Sequence, residues 1–562
     1  MCKQAVMNIY GNRNIIFLCL FLMLIAGTVT GISLELDLVL GFDDRYRPGT
    51  AVPVTITVRS PGAPLEADLV LEYVAGTSLE RGASWTVIRR ISLAPDVTGV
   101  YRFAIPLKVS SYPLKARLER NGIALIEAER ELRPAMTDRS MVVGLSDRPS
   151  LDSAIPALSR RYGRSPELLY PRPEYLPIYP ASWDGVELVI WHRLSPDELD
   201  LSAFEALVLW VADGGNLIII GNPRLSGHEF PESVPVGQIG FPIPVGDLAV
   251  YPIANEPEGS LAGESRGIPT MQFFPYGLGK ITYVPYDITS SLLSSADREK
   301  LWDDLISRAE PRRKQEWEPL VELITQSVFT RDAPFFPDIG GVLILATLFS
   351  GAAMVVLIYG RKADTPGSRR LILFALAVIS AAASLAATTI RRPMEDRRLE
   401  LRITGNRGAV EILDRYRFAS SVRESIDIQL QRRSLPYIAE NDEITILWTP
   451  SGALIRGWRL EPWTPSELTA RSVLAGFGES ELDSINQGTW RNNGTEELFD
   501  VVRLADGEVH FLAETWGPGE WLDAGMRASE NSWPRDYHDA VYRILAEMPP
   551  SADFVLARMS PG

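Results

Sequence analysis

Two uninterrupted apolar runs constrain this chain more than any other feature. Residues 339–359 read IGGVLILATLFSGAAMVVLIY and residues 371–390 read LILFALAVISAAASLAATTI, with no charged side chain in either. Each is close to the roughly 20 residues a helix needs to cross the apolar core of a bilayer. Small residues such as Gly340, Gly341, Gly351, Ala352, Ala381 and Ala382 would let two such helices approach closely. The connector 361–370, RKADTPGSRR, carries four positive charges against one negative, which assigns it to the cytoplasm. The expectation is a two-helix transmembrane hairpin with a cytoplasmic loop at 361–370 and folded regions on the outer face at both ends.

The start of the chain agrees with an outer location. Residues 1–31 read as a signal peptide or anchor: Lys3 and Arg13 are basic, 15–25 (IIFLCLFLMLI) is apolar, and 26–31 (AGTVTG) is rich in small residues. The two cysteines, Cys2 and Cys19, both fall in this leader, so the expected outer domains contain neither a disulfide nor thiol chemistry. The net charge of −15, with no basic face standing out, argues against a nucleic-acid partner.

Residues 32–135 alternate apolar and polar side chains at period two, as in 34–40 (LELDLVL), 52–58 (VPVTITV) and 67–73 (ADLVLEY). Turn residues separate these runs, among them Pro48 with Gly49, Pro61 with Gly62, and Asn121 with Gly122. Seven short strands in about 100 residues predict an N-terminal Ig-like β-sandwich. Over 137–312 the pattern changes. Runs 141–146 (MVVGLS), 186–191 (VELVIW) and 216–221 (NLIIIG) are apolar without alternation, and 277–287 (GLGKITYVPYD) adds a further strand. Ser195, Pro196 and Glu198 form a helix-start pattern, after which Leu201, Phe204, Val208 and Val211 share one helical face. Strands of this kind alternating with helices predict an α/β flavodoxin-like domain whose parallel sheet is covered on both faces.

The segments LSPDELDLSAFEALVLWVADGGNLIIIG and YGLGKITYVPYDIT, with Trp183, Asp184 and Gly185 introducing a strand, carry a resemblance. They resemble the class I glutamine amidotransferase-like domains of bacterial envelope membrane proteins. In architecture the resemblance spans roughly 33–390; its sharp motifs span about 180–290. It implies a domain outside the membrane, between a β-sandwich and transmembrane helices. Active amidotransferases use a cysteine nucleophile at a strand-to-helix elbow, activated by a histidine. Here no cysteine follows residue 19, the strands are followed by His192, Arg193 and Leu194 or by Asn222, Pro223 and Arg224, and there is no G-x-S-x-G elbow. The resemblance therefore implies a catalytically inactive domain used for binding or assembly.

No catalytic, metal or cofactor residues emerge from motif spacing. The four histidines, His192, His228, His510 and His538, are not at ligand spacing, and there is no G-x-G-x-x-G or P-loop. His192, Asn222 and Arg224 follow buried strands, where the ligand crevices of open α/β sheets lie, and are the candidates for a ligand cleft. A satisfied loop histidine is the plain structural reading of His192. Gly214, Gly215 and the 277–279 turn read as a helix stop and a tight turn. Residues 313–338, with Lys314, Trp317, Leu320, Val321 and Ile324, form an amphipathic juxtamembrane segment that suits either a membrane surface or the domain above it. Residues 395–562 read as a C-terminal mainly β domain, with a hairpin turn at Asp506 and Gly507 and a final helix around Tyr537, Val541, Ile544 and Leu545. Seven of the 13 tryptophans lie there; they suit core packing, or stacking on a glycan or partner. Arg391, Arg392, Arg397 and Arg398 sit at the expected outer end of the second apolar run, against the charge rule.

The expectation is a non-enzymatic protein of the bacterial plasma membrane with extracytoplasmic binding domains. It would act as a scaffold or subunit of an envelope complex, with the membrane, other envelope proteins or a glycan as partners and no cofactor. The alternatives are an envelope glycan hydrolase working through carboxylates such as Asp184, Asp213 or Asp287, and an accessory subunit of a transporter.

Overall fold

The structure, a computed structural model, describes most of residues 34–309 and 395–523, residues 554–558, and scattered helical positions between 347 and 380. The leader 1–31, the segments 313–338 and 361–370, and the expected final helix lie outside the described residues.

Strands dominate. The first seven are β1 (Glu35–Leu40), β2 (Thr50–Arg59), β3 (Leu65–Gly76), β4 (Arg81–Leu93), β5 (Thr98–Leu107), β6 (Leu114–Arg120) and β7 (Ile123–Arg130). Strands β1, β2 and β5 form one antiparallel sheet, while β4, β3, β6 and β7 run side by side in another. Asn121 and Gly122, at φ 55° and 76°, make the tight turn between β6 and β7, the conformation an Asn-Gly pair tolerates best.

A mainly parallel sheet follows, built from β8 (Met141–Leu145), β9 (Glu167–Leu169), β10 (Val186–Trp191) and β11 (Asn216–Ile220). After β11 come two short hairpins, β12 (Ile243–Val245) with β13 (Leu248–Val250) and β14 (Glu264–Ser265) with β15 (Ile268–Pro269). Strands β16 (Gln272–Tyr276) and β17 (Gly279–Val284) return to the sheet, whose order is β16-β17-β11-β10-β8-β9. Only β16 is antiparallel to its neighbour. Side chains alternate between two cores. Val142, Leu188, Ile190, Ile218 and Val284 pack with helices α1 (Ile155–Tyr162) and α3 (Ser295–Ser307). Val143, Val189, Trp191, Ile219 and Tyr283 pack with α2 (Leu201–Ala212).

The remaining strands return to the N-terminal part. They are β18 (Glu395–Thr404), β19 (Ala409–Ala419), β20 (Glu424–Gln429), β21 (Leu435–Ile438), β22 (Glu443–Thr449), β23 (Gly452–Leu460) and β24 (Ser466–Ala475). Strand β22 pairs in parallel with β4, matching Ile444 to Trp85 and Ile446 to Val87. One seven-stranded sheet therefore runs β20-β23-β22-β4-β3-β6-β7 across both ends of the sequence. Its core is shared: Ile444, Ile446, Ala453, Ile455, Trp458 and Leu460 are buried with Leu69, Leu71, Trp85 and Val87. Strands β18, β19, β24 and β21 form a further sheet, and six short strands after 480 complete the described part.

The expected fold class is corrected in three respects. The N-terminal strands are not a self-contained Ig-like sandwich, because strands from 424–460 complete one of their sheets. Alternation encodes which face a residue takes, not which strand lies beside it. The flavodoxin-like, amidotransferase-like domain does not hold as an independent α/β unit either. Between β11 and β17 the described residues form hairpins and loops, the sheet closes on an antiparallel edge strand, and the described part of the protein is mainly β. The transmembrane hairpin is the third correction. Among the described residues no helix is long and apolar enough to cross a membrane. Most of 339–359 and the rest of 371–390 lie outside the described residues.

Candidate functional site

The C-terminal ends of the parallel strands bring together one cluster of chemically capable side chains. His192 follows β10 and is fully buried. Its Nδ1 lies 2.8 Å from Ser150 Oγ, on the loop after β8, and its Nε2 lies 3.2 Å from Asp287 Oδ1, just past β17. Thr289 donates to the same carboxylate from its hydroxyl at 2.6 Å and from its backbone N–H at 2.8 Å. The second carboxylate oxygen accepts from Arg193 at 3.0 Å. Arg193 sits at φ 58°, a left-handed conformation that turns the chain sharply away from β10.

Burial alone would raise the pKa of Asp287. The contacts from His192, Thr289 and Arg193 outweigh it and hold the carboxyl well below its usual range. An ionised carboxylate only accepts, so Nε2 of His192 donates to Asp287. The connectivity is that of a Ser–His–Asp relay. Such a relay becomes hydrolytic when the serine faces substrate and backbone N–H groups are free to hold an oxyanion. Here Ser150 Oγ also lies 3.1 Å from Ser146 Oγ, and the N–H groups of Ser150 and Leu151 both donate to the hydroxyl of Tyr170, at 3.4 and 3.0 Å. The cluster ends in the protein's own groups and ties together the loops after three strands.

The other two cleft candidates lie on the loop after β11 and have local tasks. Asn222 is buried; its Nδ2 donates to the Ile220 carbonyl at 2.8 Å and its Oδ1 accepts from the N–H of Arg224 at 3.0 Å. This is an Asx turn. Arg224 reaches across the sheet end to Asp147 at 3.0 Å and Glu198 at 3.1 Å, both partly exposed. Sequence reasoning missed Ser150, Thr289 and Tyr170. The signal for Thr289 is the Asp-x-Thr spacing after an apolar strand, which predicts the same side-chain-to-backbone turn; nothing local marks Ser150.

The three acids offered as hydrolytic carboxylates separate into two places. Asp287 belongs to the histidine cluster. Asp184, before β10, and Asp213, after α2, converge at the opposite end of the sheet, where both bind the guanidinium of Arg471 from β24. Their side chains are 13% and 1% exposed and that of Arg471 is 7% exposed. Both carboxylates are engaged by one guanidinium and nearly enclosed, whereas a glycosidase presents its two carboxyl groups to a sugar. The glycines read as structural are so. The turn at Gly277, φ 61°, leads Leu278 to donate to the Ala212 carbonyl at 2.7 Å, and a Cβ at Gly279 would overlap the carbonyl oxygens of Val211 and Gly215. Among the described residues no group of three or more His, Cys, Asp or Glu side chains could hold a metal ion.

Comparison with known proteins adds little to this geometry. A family model described as "Domain of unknown function (DUF8726)" matches residues 33–133, the stretch that holds β1 to β7. It does not extend to residues 137–312, so the amidotransferase-like reading gains nothing from it. Among curated proteins nothing matches the chain. Among solved structures, an exo-β-1,4-mannosidase from Opitutaceae bacterium strain TAV5 is similar at 17% identity and a TM-score of 0.22, over 30% of this chain and 36% of the mannosidase.

Proposed function

We propose that this protein is a non-catalytic binding protein of the bacterial envelope, a scaffold or subunit of a larger assembly at the outer face of the plasma membrane. The observation that carries this reading is the closure of the His192 cluster. The strongest catalytic constellation among the described residues has its histidine fully buried, its carboxylate engaged by three residues and its neighbouring backbone N–H groups engaged by Tyr170. The carboxylate-hydrolase alternative loses its pair of acids to Arg471. The envelope location is supported by the basic-apolar leader pattern. Association with a membrane is further supported by the exposed apolar side chains Phe349, Met354, Ile358, Leu373 and Phe374.

The test is crosslinking in intact cells followed by purification and mass spectrometry. A reproducible set of envelope proteins is the expected result. Recovery of the protein alone, together with hydrolysis of envelope glycans that Asp287→Asn abolishes, would replace this reading with an enzymatic one.

A further inference from the structure

We propose that residues 34–309 form an acceptor and residues 424–475 its donor, so that the C-terminal strands are held on the N-terminal body by recognition and not by chain connectivity. The inference goes beyond the proposed function and does not depend on it. The acceptor offers two features of different chemistry. One is the edge of β4, where Trp85 and Val87 share a buried core with Ile444 and Ile446 of β22. The other is the carboxylate pair of Asp184 and Asp213, which receives Arg471 of β24. Strand addition supplies affinity through main-chain hydrogen bonds but little register. The arginine supplies register, because a slip of one residue in β24 would turn Arg471 to the opposite face of its sheet. A small apolar patch seats the same donor beside the carboxylates: Leu435 of β21 packs with Ala51, Ala104, Tyr179 and Ala181.

The two parts are joined by residues 310–394, which are dispensable for an association held by recognition. The experiment uses the full chain with specific protease sites inserted after Pro311 and Pro393. After folding, the joining segment is excised and the product is run on a native sizing column. Co-elution of both fragments as a one-to-one complex, separable only in denaturant, is the expected result. Separation of the fragments under native conditions would overturn the proposal. In the same background Arg471→Met should speed dissociation of the C-terminal fragment at least tenfold, with Arg471→Lys between it and the parent. Equal dissociation of all three would overturn the role assigned to Arg471.

Discussion

Replacing Arg471 by methionine is the most informative single change. The side chains of Arg471 and Asp213 are almost wholly enclosed and that of Asp184 nearly so, so water screens the triad weakly. Methionine keeps much of the apolar stem but removes the guanidinium that both carboxylates bind. Removing one partner of a buried ion pair costs about 3–5 kcal/mol, and here two carboxylates lose the same partner. The assay is urea denaturation followed by tryptophan fluorescence. Trp183 and Trp210, buried with ring centroids 6.0 Å apart, directly precede or lie near the two acids in sequence and report on this joint. Adding Asp213→Asn to Arg471→Met should recover part of the loss, because it removes one of the stranded charges. A loss below about 1 kcal/mol, the scale of a surface pair, would refute the reasoning.

The other predictions concern separate parts of the molecule. Asp287→Asn should destabilise the protein at neutral pH. Because the folded pKa of Asp287 is depressed, the parent's advantage is full above the unfolded value of about 4 and should shrink as pH falls below it; parallel denaturation curves at pH 7 and pH 3 check this. Gly279→Ala should cost at least about 2 kcal/mol, since its Cβ would meet backbone carbonyls that cannot rotate away, and thermal unfolding reads the loss. Single cysteines at Thr98 and at Arg423, each with Cys2→Ser and Cys19→Ser, should both react or both resist a membrane-impermeant maleimide in intact cells. Labelling of one alone would contradict a sheet that contains both β4 and β22.

Local features were legible where the physics is local. The apolar runs at Met141–Leu145, Val186–Trp191 and Asn216–Ile220 are strands because each is buried on both faces. The helix-start pattern at Ser195 does form, with Glu198 Oε1 accepting from the Ser195 N–H at 3.4 Å, but it caps only a short 3₁₀ turn. Leu199 is extended, and Asp200 caps α2 by accepting from the Ser202 N–H at 2.8 Å. His192 was placed correctly at a strand end, yet its partners come from 42 and 95 residues away and could not be read from its neighbours. Arg471 was invisible for the same reason. In sequence it is one more charge in an alternating strand, and only the fold supplies Asp184 and Asp213. The pairing of β4 with β22 was the largest omission, because strand periodicity carries no information about distant partners.

That pairing also sets an order of events during synthesis. Ser84 and Glu443 are register partners 359 residues apart. At roughly 5–20 residues per second, about 20–70 s separate the emergence of β4 from that of its neighbour. Throughout that interval the nascent body carries an open strand edge and two acids without their arginine. An unpaired edge of this kind is a template for association with other chains. Premature termination anywhere between the two strands therefore leaves an intermediate whose β4 edge is unpaired and whose Asp184 and Asp213 lack Arg471.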